Sequence, residues 1–422
     1  MAELLTAPYL GLPELVATPD QFEAMLLELA SGTGPYAVDA ERASGYRYSS
    51  RAYLIQIKRE GGGLHLIDPI PFGVGSPYFA RLNELWQGEE IILHASTQDL
   101  PCLRELGLNP TKLFDTELAG RLIGLPRVGL GALVESLLDI GLAKEHSAQD
   151  WSLRPLPEDW LNYAALDVEL LIELRNEIEK LLIEKKKLTW ALQDFQSILD
   201  APPPAKRIDP WRRTSGMHKV KKRSQLAVVK ALWEARDDLA AHLDISPGRI
   251  LSDAAISTIS LASDLAPLAT KKDLEKVLRP IGLRARWFEN TPRWLKAIEG
   301  ALALPEEQMP LARSKSEALP PIKIWRERFP EKYTPLSHAR FEISLKAEEL
   351  ELPVENLLTP EHLRQICWKL PDPDEIPRLL EEMGARPWQI EIATPILAHA
   401  LIQSEPLEIP EPQESEAPAA SE

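Results

Sequence analysis

The stretch "YAVDAERASGYRYSSRAYLIQI" (residues 36–57) decides the fold, because it places two strand-like runs on either side of a short polar loop. The runs, 36–40 and 52–57, are rich in aliphatic, β-branched and aromatic residues. Two further strand-like runs follow at 64–68 and 91–95. Because the strands come early and close together, the sequence predicts a meander before the first helical crossover.

Helical patterns then alternate with the strands, at roughly 76–87, 97–107, 116–124, 130–139 and 157–186. This alternation predicts an α/β layer structure with a mixed sheet. The segment "DAPPPAKRIDP" (200–210) interrupts it, since consecutive prolines remove backbone donors and hold the chain extended. Beyond this spacer the strand signal nearly vanishes, and 224–300 and 320–402 are predicted to be all-helical.

The two helical regions contain a weak internal repeat. "LAAHLDISPGRILSD" (239–253) aligns with "KAEELELPVENLLTP" (346–360) at an offset of 107 residues. Each copy has the pattern of a helix, a short turn containing proline and a second helix. Duplication of one helical module is the simplest interpretation, and chance similarity between amphipathic helices is the alternative.

Composition bounds the class of protein. The chain has 422 residues, which predicts two to four domains. No run approaches the roughly 18 apolar residues that span a bilayer, and the first residues lack the features of a secretory signal. Only Cys102 and Cys367 occur as cysteines, so a disulfide framework is excluded, buried thiols are expected and a reducing cytoplasm is predicted.

Four acidic residues and a tyrosine have spacings that suit a metal site. Asp39 and Glu41 are two apart at the end of a strand, so both carboxylates face the same way and repel each other unless cations neutralise them. Asp99 follows the strand 91–95, beyond a serine that can cap the next helix. Tyr163 and Asp167 are four apart on a helix and share a face. Taken singly, each acid is also compatible with a solvated strand end or a first helical turn.

Taken together, these residues resemble the DEDD superfamily of 3′–5′ exonucleases in its tyrosine-containing branch. Flanking stretches are similar to ribonuclease D: "FDTELAGRLIG" (114–124), "LGALVESLL" (130–138), "DWSLRPLP" (150–157) and "LNYAALDVELLIEL" (161–174). "EARDDLAAHLDISPGRILSD" (234–253) resembles the HRDC domain, and a second, diverged copy is typical of ribonuclease D. The resemblance covers about residues 20–400.

The resemblance implies a ribonuclease H-like α/β exonuclease domain with a mixed sheet, followed by two all-α HRDC-type domains. We expect the exonuclease domain over 1–200, a Pro-rich then basic linker over 201–223, the first helical domain over 224–303, a linker over 304–319, the second helical domain over 320–403 and a disordered acidic tail over 404–422.

It also implies a chemistry. Asp39, Glu41, Asp99 and Asp167 would bind two divalent cations, Mg²⁺ or Mn²⁺, and Tyr163 would orient the attacking water, since a phenol is a poor base at neutral pH. The expected activity is stepwise hydrolysis of RNA from its 3′ end into nucleoside 5′-monophosphates, with tRNA precursors as the family's usual substrate. A monomer is expected, without a membrane or ATP as partner.

Other residues are weaker candidates. His94 ends a strand and either contacts the terminal nucleotide or makes a structural hydrogen bond, and Gln56 presents the same choice. Asp115 is expected to cap a helix rather than touch the site, and Arg154 either faces a phosphate or pairs with Asp150. Within the basic segment 205–230, the candidate nucleic-acid-binding residues are Arg212, Arg213, Lys219, Lys221, Lys222 and Arg223, with an ordinary solvated linker as the alternative.

Two other functions remain open from the sequence. The same chemistry acting on DNA is one, and a non-catalytic nucleic-acid-binding protein is the other. HRDC modules also occur in helicases, but the chain has no Gly-Lys dipeptide and hence no P-loop for ATP.

Overall fold

A computed structural model describes residues 3–143, 149–203, 205, 207–312 and 319–407. The predicted acidic tail from residue 408 onward and parts of both predicted linkers (204, 206 and 313–318) lie outside the described residues. Both cysteines are buried free thiols, as expected. Within the described ranges, no helix is long and apolar enough to cross a membrane.

Among its described residues, the N-terminal region contains eight strands. They are β1 (Glu3–Leu5), β2 (Leu15–Val16), β3 (Thr33–Arg42), β4 (Ala52–Glu60), β5 (Gly63–Ile67), β6 (Glu90–Leu93), β7 (Lys112–Asp115) and β8 (Ile140–Leu142). Six of them form one sheet in the order β2-β5-β4-β3-β6-β7, and β1 pairs with β8 in a separate parallel pair. The β3-β4-β5 meander is antiparallel, whereas β3-β6-β7 and β2-β5 are parallel. The predicted meander and mixed sheet are confirmed.

Eight helices accompany these strands. They are α1 (Pro19–Ser31), α2 (Pro77–Trp86), α3 (Leu100–Glu105), α4 (Thr116–Leu122), α5 (Leu130–Leu138), α6 (Glu158–Glu169), α7 (Leu171–Glu184) and α8 (Leu188–Asp200). Leu54 and Leu66 of the sheet pack with Ala164 and Ala165 of α6 in one apolar cluster, while Ile55 of β4 belongs to the larger core. Both faces of the sheet are therefore covered, which is why its central strands are apolar almost throughout.

The first helical region forms its own apolar core. It contains α9 (Arg223–Leu243), α10 (Pro247–Ile250), α11 (Asp253–Ala262), α12 (Lys271–Leu278) and α13 (Thr291–Leu302). Trp211, Leu232, Trp287 and Trp294 are buried in this core, which is distinct from the core of the sheet.

The second helical region shares the core of the N-terminal region. It contains α14 (Trp325–Arg328), α15 (Pro330–Glu349), α16 (Val354–Leu357), α17 (Pro360–Lys369), α18 (Ile376–Glu382) and α19 (Pro387–Leu401). Trp388 stacks on Trp190 of α8 with ring centroids 4.7 Å apart. Arg386 pairs with the buried Asp194, so apolar and ionic contacts both join this region to the sheet domain.

The internal repeat is present in the backbone. The long helices α9 and α15 end before residues with left-handed conformation, Asp244 (φ 49°) and Glu351 (φ 50°), which are 107 positions apart. The short helices α10 and α16 and the following helices α11 and α17 keep the same offset. A common backbone trace supports duplication over chance similarity.

The equivalent turns of both modules contact the sheet domain. The Asp244 carboxylate accepts hydrogen bonds from the Ser49 amide (2.8 Å) and the Tyr53 hydroxyl (3.3 Å), in and after the loop that follows β3. The Glu351 carbonyl lies so close to Gly124 that a Cβ there would be 2.6 Å from it, and Gly124 has φ +84°. Only glycine fits this position without strain. Each module thus reaches the sheet domain through the same turn.

Candidate metal and catalytic site

All five residues expected to carry the chemistry line one cavity of about 280 Å³. Strand β3 supplies Asp39 and Glu41, the turn after β6 supplies Asp99, and helix α6 supplies Tyr163 and Asp167. One carboxylate oxygen each from Asp39, Glu41 and Asp167 lie within 4.8 Å of one another. The residues that the family resemblance implied therefore converge, and they do so in a cavity that is open to solvent.

The end of β3 fixes the first two acids. Residues 36–38 are fully buried in the centre of the sheet, which anchors the strand. Asp39 lies opposite Gln56 and Glu41 opposite Leu54 on β4. Since side chains alternate along a strand, both carboxylates project from the face that α6 covers. There they meet Asp167, and they remain half-buried.

Asp99 reaches the site from the turn that precedes α3. Its side chain makes no cap hydrogen bond to that helix, and the residue is 4% exposed. Asp99 and Asp39 share a side-chain hydrogen bond. Two carboxylates this close repel each other unless a proton or a cation neutralises part of their charge.

The turn before Asp99 is held by a second acid. Asp115 accepts hydrogen bonds from the backbone amides of Ser96 (2.8 Å), Glu117 (3.0 Å) and Leu118 (3.0 Å). Its expected role as a helix cap, here of α4, is confirmed. The suggestion that Ser96 caps the helix after Asp99 is wrong, because the Ser96 hydroxyl donates to Asp115 at 2.6 Å instead.

Crowding of acids changes their protonation. Burial, followed by the charges of the neighbouring carboxylates, raises the pKa of Glu41 and of Asp99. Burial and the charge of Asp39 raise the pKa of Asp167 well above its ordinary value. For Asp39, burial raises the pKa, and hydrogen bonds together with the charge of Arg42 partly offset that rise. The cluster holds protons that exposed carboxylates would lose at neutral pH.

This donor set fits divalent cations. Converging carboxylate oxygens are the ligands that Mg²⁺ and Mn²⁺ prefer. The carboxyl groups of Asp39 and Asp99 lie close enough to interact, which offers one place for a cation. A second possible cation site is formed by the oxygens of Asp39, Glu41 and Asp167. Asp39 belongs to both sites. The cluster can therefore bind divalent metal.

Tyr163 lies beside the acids as expected. Its hydroxyl is hydrogen-bonded to the Asp167 carboxylate. Burial, and then the charge of Asp167, raises the pKa of Tyr163 above its ordinary value of 10.0. A hydroxyl that keeps its proton can donate to or orient a water molecule, but it cannot act as a general base at neutral pH.

His94 and Gln56 occupy different settings. His94 lines the cavity, and its Nδ1 is 2.9 Å from the Thr116 hydroxyl, so it has the structural hydrogen bond and still faces the site. Burial lowers its pKa, which favours the neutral imidazole. Gln56 is completely buried opposite Asp39, and neither of its amide atoms has a hydrogen-bond partner among the described residues.

The suggested pairing of Arg154 with Asp150 is wrong. The Arg154 guanidinium makes a two-pronged ion pair with Asp68 (2.6 and 2.7 Å) and donates to the carbonyl of Tyr53. Asp150 instead accepts from Ser152. The partner of Arg154 is 86 positions away, so no local pattern pointed to it.

Some of the candidate residues in the basic segment 205–230 contact other parts of the protein, and others are exposed. Arg212 and Arg223 donate to backbone carbonyls of residues 309–311, and Lys222 pairs with Asp264 at 3.0 Å. The remaining candidates, Arg213, Lys219 and Lys221, are exposed. A second basic surface was missed: Arg279, Arg284, Arg286, Arg293 and Lys296 are all exposed. The net charge of the chain is −16, which does not suggest a basic surface. The local excess of basic residues in 279–296 could have indicated it.

Arg42 is the other residue that was missed. It lines the cavity, and its Nη2 is 3.6 Å from an oxygen of Asp99. Strict alternation along β3 would turn Arg42 away from the face of Glu41. The pairing with β4 shifts register between Glu41 and Arg42, and such irregularities re-aim side chains.

Comparisons with known proteins agree with this site. A family model described as 3′-5′ exonuclease matches residues 13–183, an HRDC domain model matches 225–276, and a model described as 3′ to 5′ exonuclease C-terminal domain matches 318–401. Ribonuclease D of Zymomonas mobilis is 33% identical over 285 residues, which cover 65% of this chain and 69% of that protein.

Solved structures show the same architecture. A protein from Bifidobacterium adolescentis is 38% identical with a TM-score of 0.84, covering 95% of this chain and 100% of that one. Escherichia coli RNase D, described as an exoribonuclease involved in structured RNA processing, has a TM-score of 0.64 at 20% identity over 87% of this chain and 98% of that one. At that identity the likeness shows the fold alone.

The sheet domain with its cluster of acids defines a 3′–5′ exonuclease. The ribonuclease H-like fold followed by a helical region with an HRDC domain is confirmed. The chain belongs to the ribonuclease D family and is a 3′–5′ exoribonuclease.

Proposed function

We propose that this enzyme trims the 3′ ends of tRNA precursors by hydrolysis with two divalent cations, Mg²⁺ or Mn²⁺. The observation that carries the proposal is the convergence of Asp39, Glu41 and Asp167 oxygens within 4.8 Å, with Asp99 hydrogen-bonded to Asp39. Asp39, Glu41, Asp99 and Asp167 are the metal ligands in this proposal.

When bound, two cations polarise the phosphate, lower the pKa of water and stabilise charge on the departing oxygen. The four carboxylates fix the positions where this charge is supplied. In the reaction, the oxygen of a water molecule forms a bond to phosphorus, the bond from phosphorus to the 3′ oxygen breaks, and that oxygen takes up a proton. The products are a nucleoside 5′-monophosphate and an RNA one residue shorter.

Tyr163 positions the attacking water in this proposal. Its hydroxyl is anchored to Asp167 and faces the cavity, and its raised pKa keeps it protonated. Positioning reduces the entropic cost of bringing water and phosphate together. Removal of this hydroxyl should lower turnover while metal binding is kept.

The first helical region contacts the loop after β3, and its surface can bind the rest of the RNA. Arg249 donates to the Gly45 carbonyl at 2.7 Å, which joins this region to the sheet domain close to the site. Exposed basic residues of both stretches, 213–221 and 279–296, can contact phosphates. Binding through them should weaken steeply as salt is raised.

Stepwise digestion tests the proposal. A tRNA precursor with a 3′ extension, incubated with purified protein and Mg²⁺ or Mn²⁺, should lose single nucleotides as 5′-monophosphates, and chelator should stop the reaction. A DNA of the same sequence serves as the matched substrate. Equal or faster loss of the DNA would contradict the assignment to RNA, and intact RNA with either metal would contradict the activity.

The proposal also includes the domain limits, the oligomeric state and the cellular location of the protein. The domain limits expected from sequence (1–200, 224–303 and 320–403), a monomeric state and a cytoplasmic location remain part of it. Two buried free thiols support a reducing compartment. Light scattering after size-exclusion chromatography should give a mass near 47.3 kDa, and twice that mass would contradict the monomer.

A further inference from the structure

Among the described residues, the guanidinium of Arg42 has no close partner, although it lines the same cavity as the four carboxylates. Its Nη2 is 3.4 Å from the amide oxygen of Gln98 and 3.6 Å from Asp99, and its Nε has no hydrogen-bond partner among the described residues. Charge-assisted hydrogen bonds between arginine and a carboxylate are normally about 2.7–2.9 Å long. Both Arg42 contacts are longer, so most of its donor capacity is unused.

Arg42 lies where its unused N–H donors are close to the carboxylates of the site. The residue follows Glu41 directly and lines the same cavity as Asp39, Asp99 and Asp167. Its side chain is 26% exposed, so it is neither sealed in the core nor extended into solvent. Neighbouring Arg51 differs, because it projects toward the helical region and pairs with Asp244.

The charges in the cavity indicate a role for Arg42 when cations are bound to the four carboxylates. The four carboxylates together carry the same magnitude of charge as two divalent cations, so the loaded metal site is neutral overall. The phosphodiester then brings one further negative charge into a half-buried cavity, where an unbalanced charge is costly. Arg42 is the cationic side chain that lines this cavity, and its planar fork of donors matches phosphate oxygens.

We propose that Arg42 binds the phosphate that is being hydrolysed and stabilises the charge that develops on it. This inference rests on the proposed function and adds a substrate-contacting residue to it. The guanidinium leans toward Asp99, 3.6 Å away. With cations bound to the acids, it is free to donate to a non-bridging phosphate oxygen.

Kinetics of Arg42 variants test the proposal. Arg42→Gln should lower the single-turnover rate at saturating Mg²⁺ by about 10²–10³-fold, as expected when one fixed donor to a developing charge is lost. Arg42→Lys should recover only part of this rate, because an ammonium cannot form the fork. Arg81→Gln, which removes an arginine on α2 that pairs with Glu23, is the matched control and should keep the wild-type rate.

Chemical rescue separates a contact from a structural role. Guanidinium ion at millimolar concentration should restore part of the rate of Arg42→Ala, while urea, which is neutral and of similar shape, should not. Misfolding of the variant would give no rescue by either compound, so circular dichroism and the melting temperature are measured alongside.

Binding provides a readout that does not depend on turnover. RNA carrying a neutral methylphosphonate in place of its last linkage is compared with normal RNA for wild type and Arg42→Gln, all in Ca²⁺. In wild type the neutral linkage should weaken binding roughly tenfold more than in the variant, since the double-mutant cycle isolates the Arg42–phosphate coupling. The same replacement at the preceding linkage should show no such coupling.

Three results would overturn the proposal. They are an unchanged rate for Arg42→Gln at saturating Mg²⁺, equal loss of binding in both proteins on neutralising the last linkage, and coupling to the preceding linkage only. Each is read against active wild-type enzyme in the same assay. Inactive wild type would instead contradict the proposed function itself.

Discussion

At the residue scale, the carboxylates of the site oppose the stability of the metal-free protein. Burial raises the pKa of Asp39 to about 6, and burial followed by the charge of Asp39 raises the pKa of Asp99 to about 8, from an ordinary value of 3.8. Between the unfolded and folded pKa values the folded state binds more protons than the unfolded state, so stability falls as pH rises. Cations that replace those protons reverse the trend.

We predict that the melting temperature of chelator-treated protein falls between about pH 4 and pH 8, where these raised pKa values act. Because metal binding requires deprotonated ligands, the gain in melting temperature on adding Mg²⁺ should be larger at pH 8 than at pH 5. Scanning calorimetry with and without Mg²⁺ across this range measures both. A gain that is the same at the two pH values would contradict metal binding by these carboxylates.

Asp167→Asn should separate catalysis from RNA binding. Loss of one metal ligand should lower kcat by several orders of magnitude, while RNA affinity is largely kept, because the basic surfaces are unchanged. The metal-free variant should also melt at a higher temperature than wild type at pH 8, since one repelling charge is gone. Glu184→Gln, an exposed change on α7, is the matched control for rate and stability. A rate within a few-fold of wild type would remove Asp167 from the mechanism.

The acids and Tyr163 could be predicted from the sequence, because local periodicity pairs Asp39 with Glu41 and Tyr163 with Asp167, and the family resemblance joined these pairs to each other and to Asp99. Residues that are two apart on a strand share a face, and so do residues that are four apart on a helix. Arg42 could not, since its direction depends on a register shift with a neighbouring strand. Arg154 could not either, since its partner Asp68 is brought to it only by the tertiary fold.

At the element scale, the turn that carries Asp99 is positioned by the end of another strand. Asp115, the last residue of β7, is 3% exposed and binds the amides of Ala95 and Ser96 as well as the first turn of α4. Ala95 has φ 57°, a left-handed conformation that few non-glycine residues adopt. The carboxylate of Asp115 therefore holds a tight turn that brings Asp99 to Asp39.

Asp115→Asn should loosen that turn without touching the cavity. The amide replaces one acceptor oxygen by a donor, so buried amides lose their partner at a cost of about 1–3 kcal/mol of unfolding free energy. Metal affinity should fall as well, because Asp99 is less well positioned. Urea unfolding and Mn²⁺ titration measure the two effects, with Glu117→Gln as control on the same helix. Unchanged metal affinity together with lowered stability would show that Asp115 serves α4 alone.

The meander and most helices, including those around Asp99 and Asp167, follow the sequence pattern. The pattern did not indicate the helices α1 and α8 or the strands β1, β2, β7 and β8. Strands β1, β2 and β8 have two or three residues each, too few for a pattern to emerge. Their pairing is set by tertiary contacts, as in the parallel pairing of β1 with β8.

At the scale of the whole molecule, the two related helical modules are attached differently. The first has its own apolar core and meets the sheet domain through polar contacts, such as those of Asp244 and Arg249. The second shares the core of the sheet domain, and Lys187 donates to the Leu122 carbonyl beside their junction at 2.7 Å. Sequence could suggest the duplication but not this difference, which depends on residues far apart in the chain.

We predict that residues 207–312 fold on their own, whereas removal of everything after residue 312 destabilises the sheet domain. The first expectation follows from the separate core, and the second from the apolar surface that the truncation would expose on α8, including Trp190. Circular dichroism melts of both fragments measure this. A cooperative melt of fragment 1–312 at the temperature of the full chain would contradict the shared core.

The central claim is that Asp39, Glu41, Asp99 and Asp167 together bind a pair of divalent cations. Anomalous diffraction from crystals soaked in Mn²⁺ tests it most directly. Two manganese peaks are expected in this cavity, at positions that Asp39, Glu41, Asp99 and Asp167 can coordinate. Saturating Mn²⁺ with no peak among these four carboxylates would contradict it.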